Sequence, residues 1–174
     1  VVFASSAAVY GDNPEVPKRE EMLPEPKSPY AITKLDGEQY LSFYASQHGL
    51  SAAAVRFFNV FGPGQNPYGP YASAVPVFID RALRGEAITI FGDGTQTRDF
   101  IHVTDIVGAL SFLAERPGTG GVFNAGYGLS TRIDHLATEI LRLSGAKVDV
   151  VHGPERAGDV KHSYAAADKL RGLG

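Results

Sequence analysis

Short apolar runs alternate with longer segments of helical spacing, and this alternation constrains the fold of the chain more than any other feature. Strand patterns occur at residues 1–4, 53–58, 88–91, 98–101, 121–125 and 147–151. Helix patterns occur at residues 29–48, 74–84, 104–115 and 132–143, and the expected helix ends fall at Gly49, Gly85, Pro117 and Gly145. Strands that alternate with helices predict an α/β fold with a parallel sheet.

The composition narrows the classes of function. With 174 residues, 44% of them hydrophobic, the chain is long enough to bury a core in one or two units. The net charge is −3 and the basic residues are dispersed, so no nucleic acid partner is expected. No apolar stretch has the length of a membrane span, and there are no cysteines and no histidine spacing typical of a metal site. We expect a cytoplasmic enzyme without a metal and without a membrane partner.

A Tyr-x-x-x-Lys pair lies near the start of the longest predicted helix. Tyr30 and Lys34 are separated by four residues, so their side chains share one helix face. Ser28 is a good N-cap, Pro29 suits the first helical position, and Gly49 can end the helix. An ammonium close to a phenol favours the phenolate, which is the form that accepts a proton. The pair therefore indicates a catalytic acid/base.

Several segments in one order strengthen this interpretation. They are FASSAAVYG (3–11), SPYAITK (28–34), RFFNVFGPG (56–64), ITIFGDGTQTRDFIHVTD (88–105), FNAGYG (123–128) and ERAGDVKHSYAAADK (155–169). Together they resemble the extended short-chain dehydrogenase/reductases of the NAD-dependent epimerase/dehydratase family, in particular the UDP-glucose 4-epimerase-like members. The resemblance covers essentially the whole chain.

The resemblance implies a fold and a division into domains. It predicts the C-terminal part of a Rossmann parallel sheet plus a smaller α/β nucleotide-sugar-binding lobe. Residues 1–60, with 101–128 returning to them, would form the second half of the Rossmann domain, and 61–100 with 129–174 the lobe. The chain contains no Gly-x-Gly-x-x-Gly, and an apolar strand at 1–4 normally needs a neighbour on each side. We therefore expect a fragment that lacks the N-terminal NAD-binding half and is inactive alone.

By the same resemblance, three residues are catalytic. Tyr30 takes the proton from the sugar C4 hydroxyl while hydride moves to NAD, and Lys34 stabilises the phenolate and binds the nicotinamide ribose. Ser6 bridges the sugar oxygen and the tyrosine. Dehydratases and decarboxylases of the family carry an acid just after this serine, whereas this chain has Ala7 and Ala8, which cannot transfer a proton. The pattern favours 4-epimerisation.

The nucleotide-sugar residues are assigned by resemblance too. Asn59, Arg98 and Arg156 fall on diphosphate positions, which require cationic forks and amide donors. Asp159 matches a residue that binds a ribose hydroxyl, and Phe91 ends the strand against which the uracil lies.

Serines complete the predicted site. Ser5 neighbours Ser6, and Ser73 falls near the turn that binds the sugar. Ser163 falls where the pocket meets the C2 substituent; a small residue there tends to admit N-acetyl sugars. For His102 we prefer a structural role as a hydrogen-bonded packing residue.

The predicted function is NAD-dependent 4-epimerisation of a UDP-hexose through a transient 4-keto sugar. UDP-N-acetylglucosamine and UDP-glucuronate 4-epimerases are alternatives, because they differ only in the sugar pocket. Alternatives of another class are an inert fragment and a non-catalytic dinucleotide-binding sensor, although sensors usually lose the Tyr or the Lys. The resemblance also implies a homodimer of the full-length protein, in which the Tyr-Lys helix takes part. The choice between NAD and NADP stays open from the sequence, and so does the sugar.

Overall fold

The computed structural model describes residues 1–69, 72–156 and 158–174. Within these ranges the strands are β1 (Val2–Ser6), β2 (Ala53–Phe57), β3 (Asn59–Phe61), β4 (Ile88–Phe91), β5 (Thr97–Arg98), β6 (Phe100–His102), β7 (Gly121–Ala125), β8 (Thr131–Arg132) and β9 (Val150–Gly153). The helices are α1 (Pro29–His48), α2 (Ala74–Arg84), α3 (Val103–Ala114), α4 (Ile133–Ser144) and α5 (Asp168–Arg171), and a short 3-10 helix covers Ala7–Tyr10. No helix in the described ranges is long and apolar enough to cross a membrane.

A three-stranded parallel sheet in the order β1–β2–β7 forms the first layer of the fold. Parallel neighbours require crossover connections, and α1 and α3 lie in the two crossovers. The sheet buries Val55 and Phe123 against Ile106 and Leu113 of α3. This packing sets the carboxyl ends of the three strands side by side.

Short strand pairs and two helices build the second part of the structure. β3 pairs with β6 and β4 with β9, both parallel, while β5 pairs with β8 antiparallel. Phe78 of α2 and Ala137 and Ile140 of α4 pack on Ile88 and Ile90 of β4. The amphipathic spacing of both helices places their apolar residues on this shared face.

The helix predictions are confirmed at most ends. The Oγ of Ser28 accepts a hydrogen bond from the Ala31 N–H at 3.1 Å, and Gly49 ends α1 with a φ of 67°. Gly85 and Gly145 end α2 and α4 in the same left-handed conformation. The helix expected at 104–115 runs from Val103 to Ala114, ahead of Pro117.

Two strand predictions differ from the structure. The run at 98–101 is divided into β5 and β6, because the fully buried Asp99 lies between them. Its carboxylate accepts hydrogen bonds from the N–H groups of Tyr127, Gly128 and Ala165 at 2.7–2.9 Å. The strand expected at 147–151 is displaced toward the C-terminus and forms β9 (Val150–Gly153). Its bounds match those of β4, with which it pairs residue by residue.

Candidate active site

The Tyr-Lys pair lies where α1 meets the end of β1. The Nζ of Lys34 donates a hydrogen bond to the carbonyl oxygen of Ala4 at 2.9 Å. It also lies 5.6 Å from the centroid of the Tyr30 ring and 5.4 Å from that of Phe3. Tyr30 is 55% exposed, so its side chain can meet a ligand. The helix therefore presents a phenol and an ammonium together beside the sheet.

Ser6 ends β1 and lines a cleft. Its Oγ accepts a hydrogen bond from the Ala8 N–H at 3.1 Å and caps the 3-10 helix that follows. The cavity beside it has a volume of about 260 Å³ and is also lined by Asn59, Arg98 and Ser163. Residues from distant parts of the chain thus meet the predicted catalytic serine.

A second cavity, of about 200 Å³, adjoins the first. The two share Asn59, Arg98 and Asp159 as lining residues. The predicted substrate residues that line the second cavity are Asn59, Ser73, Phe91, Arg98, Arg156 and Asp159. Between them, the two cavities collect every predicted substrate residue except Ser5.

The two adjoining cavities form one cleft, and the charged residues that line it suit an anionic ligand that carries an aromatic ring. Arg98 donates to the carboxylate of Asp159 and, at 2.8 Å, to the carbonyl oxygen of Thr97. The guanidinium carbon of Arg156 lies 4.1 Å from the centroid of the Phe91 ring, within the range of a cation–π contact. Two guanidinium groups near an exposed aromatic face can bind a phosphate group and stack a base.

Ser5 lies apart from the cleft lining. Its side chain is buried, and its Oγ donates to the Oε1 of Glu38 at 2.5 Å. Successive residues of a strand point to opposite faces, which separates Ser5 from Ser6. The structure thus gives the Ser5 hydroxyl a partner on α1.

His102 has the structural role predicted for it. Its Nδ1 accepts a hydrogen bond from the Thr104 N–H at 3.3 Å and caps α3. The ring packs edge-on against Phe61 at 5.3 Å between centroids. The packing prediction is confirmed.

Gln96 and Lys18 are among the residues that line the two cavities without having been predicted. Gln96 donates to the Phe91 carbonyl oxygen at 2.7 Å and lines the second cavity. It lies two residues before Arg98, so strand alternation could have identified it. Lys18 lines the Ser6 cavity, and burial lowers the pKa of its ammonium. Its loop has no periodic pattern, and only tertiary contacts bury it.

Comparison with known proteins gives the chain its relatives. The family model described as "NAD dependent epimerase/dehydratase family" matches residues 1–126. A UDP-glucose 4-epimerase of Mycolicibacterium smegmatis is 38% identical over 160 residues, which cover 92% of this chain and 51% of the relative. The chain therefore spans about half the length of that relative.

Two solved structures agree with this result. A UDP-N-acetylglucosamine 4-epimerase from Methanobrevibacter ruminantium, in complex with UDP-N-acetylmuramic acid, superposes with a TM-score of 0.94 at 43% identity, over 98% of this chain and 55% of that one. A Thermus thermophilus UDP-glucose 4-epimerase in complex with NAD superposes with a TM-score of 0.87 at 36% identity, over 99% and 57%.

These matches correct the prediction about the fold. We expected the C-terminal part of a Rossmann sheet, with a smaller lobe, in a fragment lacking the N-terminal NAD-binding half. The family match instead begins at residue 1, and the supported description is an α/β fold with the parallel sheet β1–β2–β7 of the epimerase Rossmann domain. The prediction was drawn from the apolar run at 1–4, which within the described residues forms β1 and pairs in parallel with β2.

Proposed function

Because this chain belongs to the NAD-dependent epimerase/dehydratase family, we propose that the protein interconverts C4 epimers of a UDP-hexose through a transient 4-keto sugar. One observation carries the proposal: Lys34 joins the Tyr30 ring to β1 at Ala4, and Ser6, two residues further along that strand, lines the cleft with several predicted nucleotide residues. Similarity to UDP-glucose 4-epimerases supports the same reaction.

The residues at the end of β1 fit NAD. The carboxyl ends of parallel strands are where dinucleotides bind, and Tyr30 and Lys34 offer an exposed phenol and an ammonium there. These two residues would hold the nicotinamide ribose. When bound, NAD supplies a reversible hydride acceptor.

The catalytic side chains divide the work of the proton transfer. Tyr30 removes the proton from the C4 hydroxyl and returns it after the keto sugar has turned over in the pocket. Lys34 stabilises the phenolate by its positive charge, and Ser6 donates a hydrogen bond to the sugar oxygen. Ala7 and Ala8 line the Ser6 cavity, and neither side chain can act as the second acid that dehydration requires.

The nucleotide would bind across the adjoining cavities. Arg98, Arg156 and Asn59 would hold the diphosphate, and Phe91 would stack on the uracil. Asp159 accepts a hydrogen bond from Arg98 and would bind the ribose hydroxyl. In this arrangement residues 61–100 and 129–174 supply the nucleotide-sugar site apart from Asn59, and residues 1–60 supply Asn59 and the catalytic groups.

An observation also favours N-acetylated substrates. Ser163, a small residue, lines the Ser6 cavity, and a UDP-N-acetylglucosamine 4-epimerase is among the similar structures. We propose that the protein accepts the N-acetyl forms in addition to UDP-glucose and UDP-galactose. A non-catalytic sensor is disfavoured because Tyr30 and Lys34 are both present.

A homodimer through α1 completes the proposal. Tyr40, Phe43 and Tyr44 are 68%, 53% and 48% exposed on this helix. Exposed aromatic residues on one helix suit an interface with a second copy. Light scattering should give twice the mass of one chain, and a monomer at micromolar concentration would contradict the proposal.

Product analysis tests the reaction. The purified protein is incubated with NAD and UDP-glucose, and the nucleotide sugars are separated by chromatography while absorbance at the NADH wavelength is followed. We expect UDP-galactose to form until equilibrium, with no net conversion of NAD to NADH. A 4-keto-6-deoxy sugar as the product would assign the protein to dehydration instead.

A further inference from the structure

A buried ion pair lies beneath the candidate active site. Arg56 of β2 donates from Nε to the Oε1 of Glu38 at 2.9 Å and from Nη2 to Oε2 at 2.6 Å. Both side chains are at most 5% exposed. The Ser5 hydroxyl donates to the same Oε1 at 2.5 Å, so the carboxylate binds two strands at once.

The position of this pair connects it to the catalytic residues. Glu38 follows Lys34 by one helical turn on α1, and Ser5 directly precedes Ser6 on β1. α1 also approaches β1 closely at Gly37: a Cβ added there would lie 2.3 Å from the Phe3 ring. The helix is thus held against the strand next to the residues proposed to react.

We propose that Glu38 is a positioning residue that fixes α1 along the ends of β1 and β2, so that Tyr30 and Lys34 face Ser6. This inference rests on the proposed function. A buried ion pair is a weak source of stability, because two apolar residues of similar volume often stabilise a protein equally well. The bidentate pair and the Ser5 hydroxyl specify one orientation of the helix, which apolar packing would specify less strictly.

Ser5 takes its role from the same network. By resemblance it was expected to bind substrate, whereas in the structure its hydroxyl binds Glu38. Ser5→Ala should therefore lower kcat by about 3- to 10-fold and leave KM for the UDP-sugar within about twofold. A raised KM with an unchanged kcat would overturn the positioning role of Ser5.

A double variant separates positioning from stability. Glu38→Met with Arg56→Met removes both buried charges and leaves neither unpaired, so the thermal midpoint should fall less than in Glu38→Gln. We expect kcat to fall about 10- to 100-fold, because a misplacement of about 1 Å costs that much, while KM changes little. Wild-type kcat in the stable double variant would overturn the proposal.

The single variant and a control complete the kinetic test. Glu38→Gln leaves Arg56 buried without its partner charge and should lower both kcat and the thermal midpoint. Glu139→Gln removes the exposed pair of Glu139 with Arg142 on α4 and should change neither. A loss of kcat in the control equal to that in the double variant would also contradict a specific role of Glu38.

Amide hydrogen exchange keeps this test independent of the proposed function. If the wild-type protein lacks epimerase activity, the proposed function fails while the positioning of α1 is still measured. In the double variant we expect the amides of residues 31–38 to exchange about tenfold faster, with α4 unchanged. Equal exchange of residues 31–38 in both proteins would overturn the positioning role.

Discussion

The ammonium of Lys34 lies 5.6 Å from the centroid of the Tyr30 ring and donates a hydrogen bond to the Ala4 carbonyl oxygen. The four-residue spacing places the two side chains on one face of α1. The hydrogen bond from Lys34 to Ala4 ties that face to β1. The same hydrogen bond fixes the ammonium beside the Tyr30 ring.

Removal of the Tyr30 hydroxyl should abolish most of the activity. Tyr30→Phe is expected to lower turnover by roughly two to four orders of magnitude, because the acid/base is lost. KM for the UDP-sugar should change little, since the ring stays in place. Steady-state kinetics measure both values, with Tyr127→Phe, at an exposed tyrosine that lines neither cavity, as the control. Turnover close to that of the wild type would exclude Tyr30 from the mechanism.

Arg98 should contribute to binding of the nucleotide. Arg98→Met removes a guanidinium that lines both cavities, and the loss of charge-assisted hydrogen bonds to a diphosphate should weaken UDP binding by about 1.5–3 kcal/mol. Calorimetric titration with UDP measures the change. Arg142→Met, on the exposed face of α4, is the control and should bind UDP normally. Unchanged affinity in Arg98→Met would place the diphosphate elsewhere.

A bulky residue at position 163 should select between sugars. Ser163→Tyr places a phenol in the Ser6 cavity, where it would overlap an acetamido group, and overpacking costs about 1–3 kcal/mol. We expect turnover of UDP-N-acetylglucosamine to fall while UDP-galactose is still converted. Parallel assays measure the turnover of the two substrates by the wild type and the variant. Equal losses on both, or none on either, would show that Ser163 does not limit the pocket.

The buried Tyr10 should contribute to stability through its hydroxyl. This group donates to the Oδ1 of Asn124 at 2.7 Å, and the side chain is 1% exposed. Tyr10→Phe leaves the amide oxygen without its donor, which should lower the free energy of unfolding by about 1–3 kcal/mol. Urea denaturation measures the difference, and Tyr127→Phe, at an exposed position, should differ little from the wild type. A loss no larger than in that control would contradict the prediction.

The same variant tests a dependence on pH. Burial raises the pKa of Tyr10 above its ordinary value, despite the nearby Arg56 guanidinium, which lowers it. The stabilising contribution of the protonated phenol is therefore complete below the unfolded value of about 10 and is lost as pH rises through the folded pKa. The stability advantage of the wild type over Tyr10→Phe should shrink above about pH 10. An advantage that grows with pH would contradict this assignment.

Elements with local signals could be predicted from the sequence alone. The bounds of α1 follow from Ser28 and Gly49, whose capping depends on neighbouring backbone groups. Strand 98–101 could not be predicted correctly, because Asp99 interrupts it through hydrogen bonds to residues near 127 and 165. A local sequence pattern cannot predict hydrogen bonds between residues so far apart in the chain.

By itself, the sequence determined the α/β class, the bounds of α1 and the placement of Tyr30 and Lys34 on one helix face, because each depends on residues a few positions apart. Only the tertiary structure decided that Ser5 and Ser6 have different surroundings. Strand alternation places the two hydroxyls on opposite faces of β1. Only the packing of α1 and β2 on β1 brings Glu38 within hydrogen-bonding distance of Ser5. Tertiary contacts also bring Arg98 to Asp159 and open the cleft beside Ser6. Such contacts join residues far apart in sequence, and packing of the whole chain determines them.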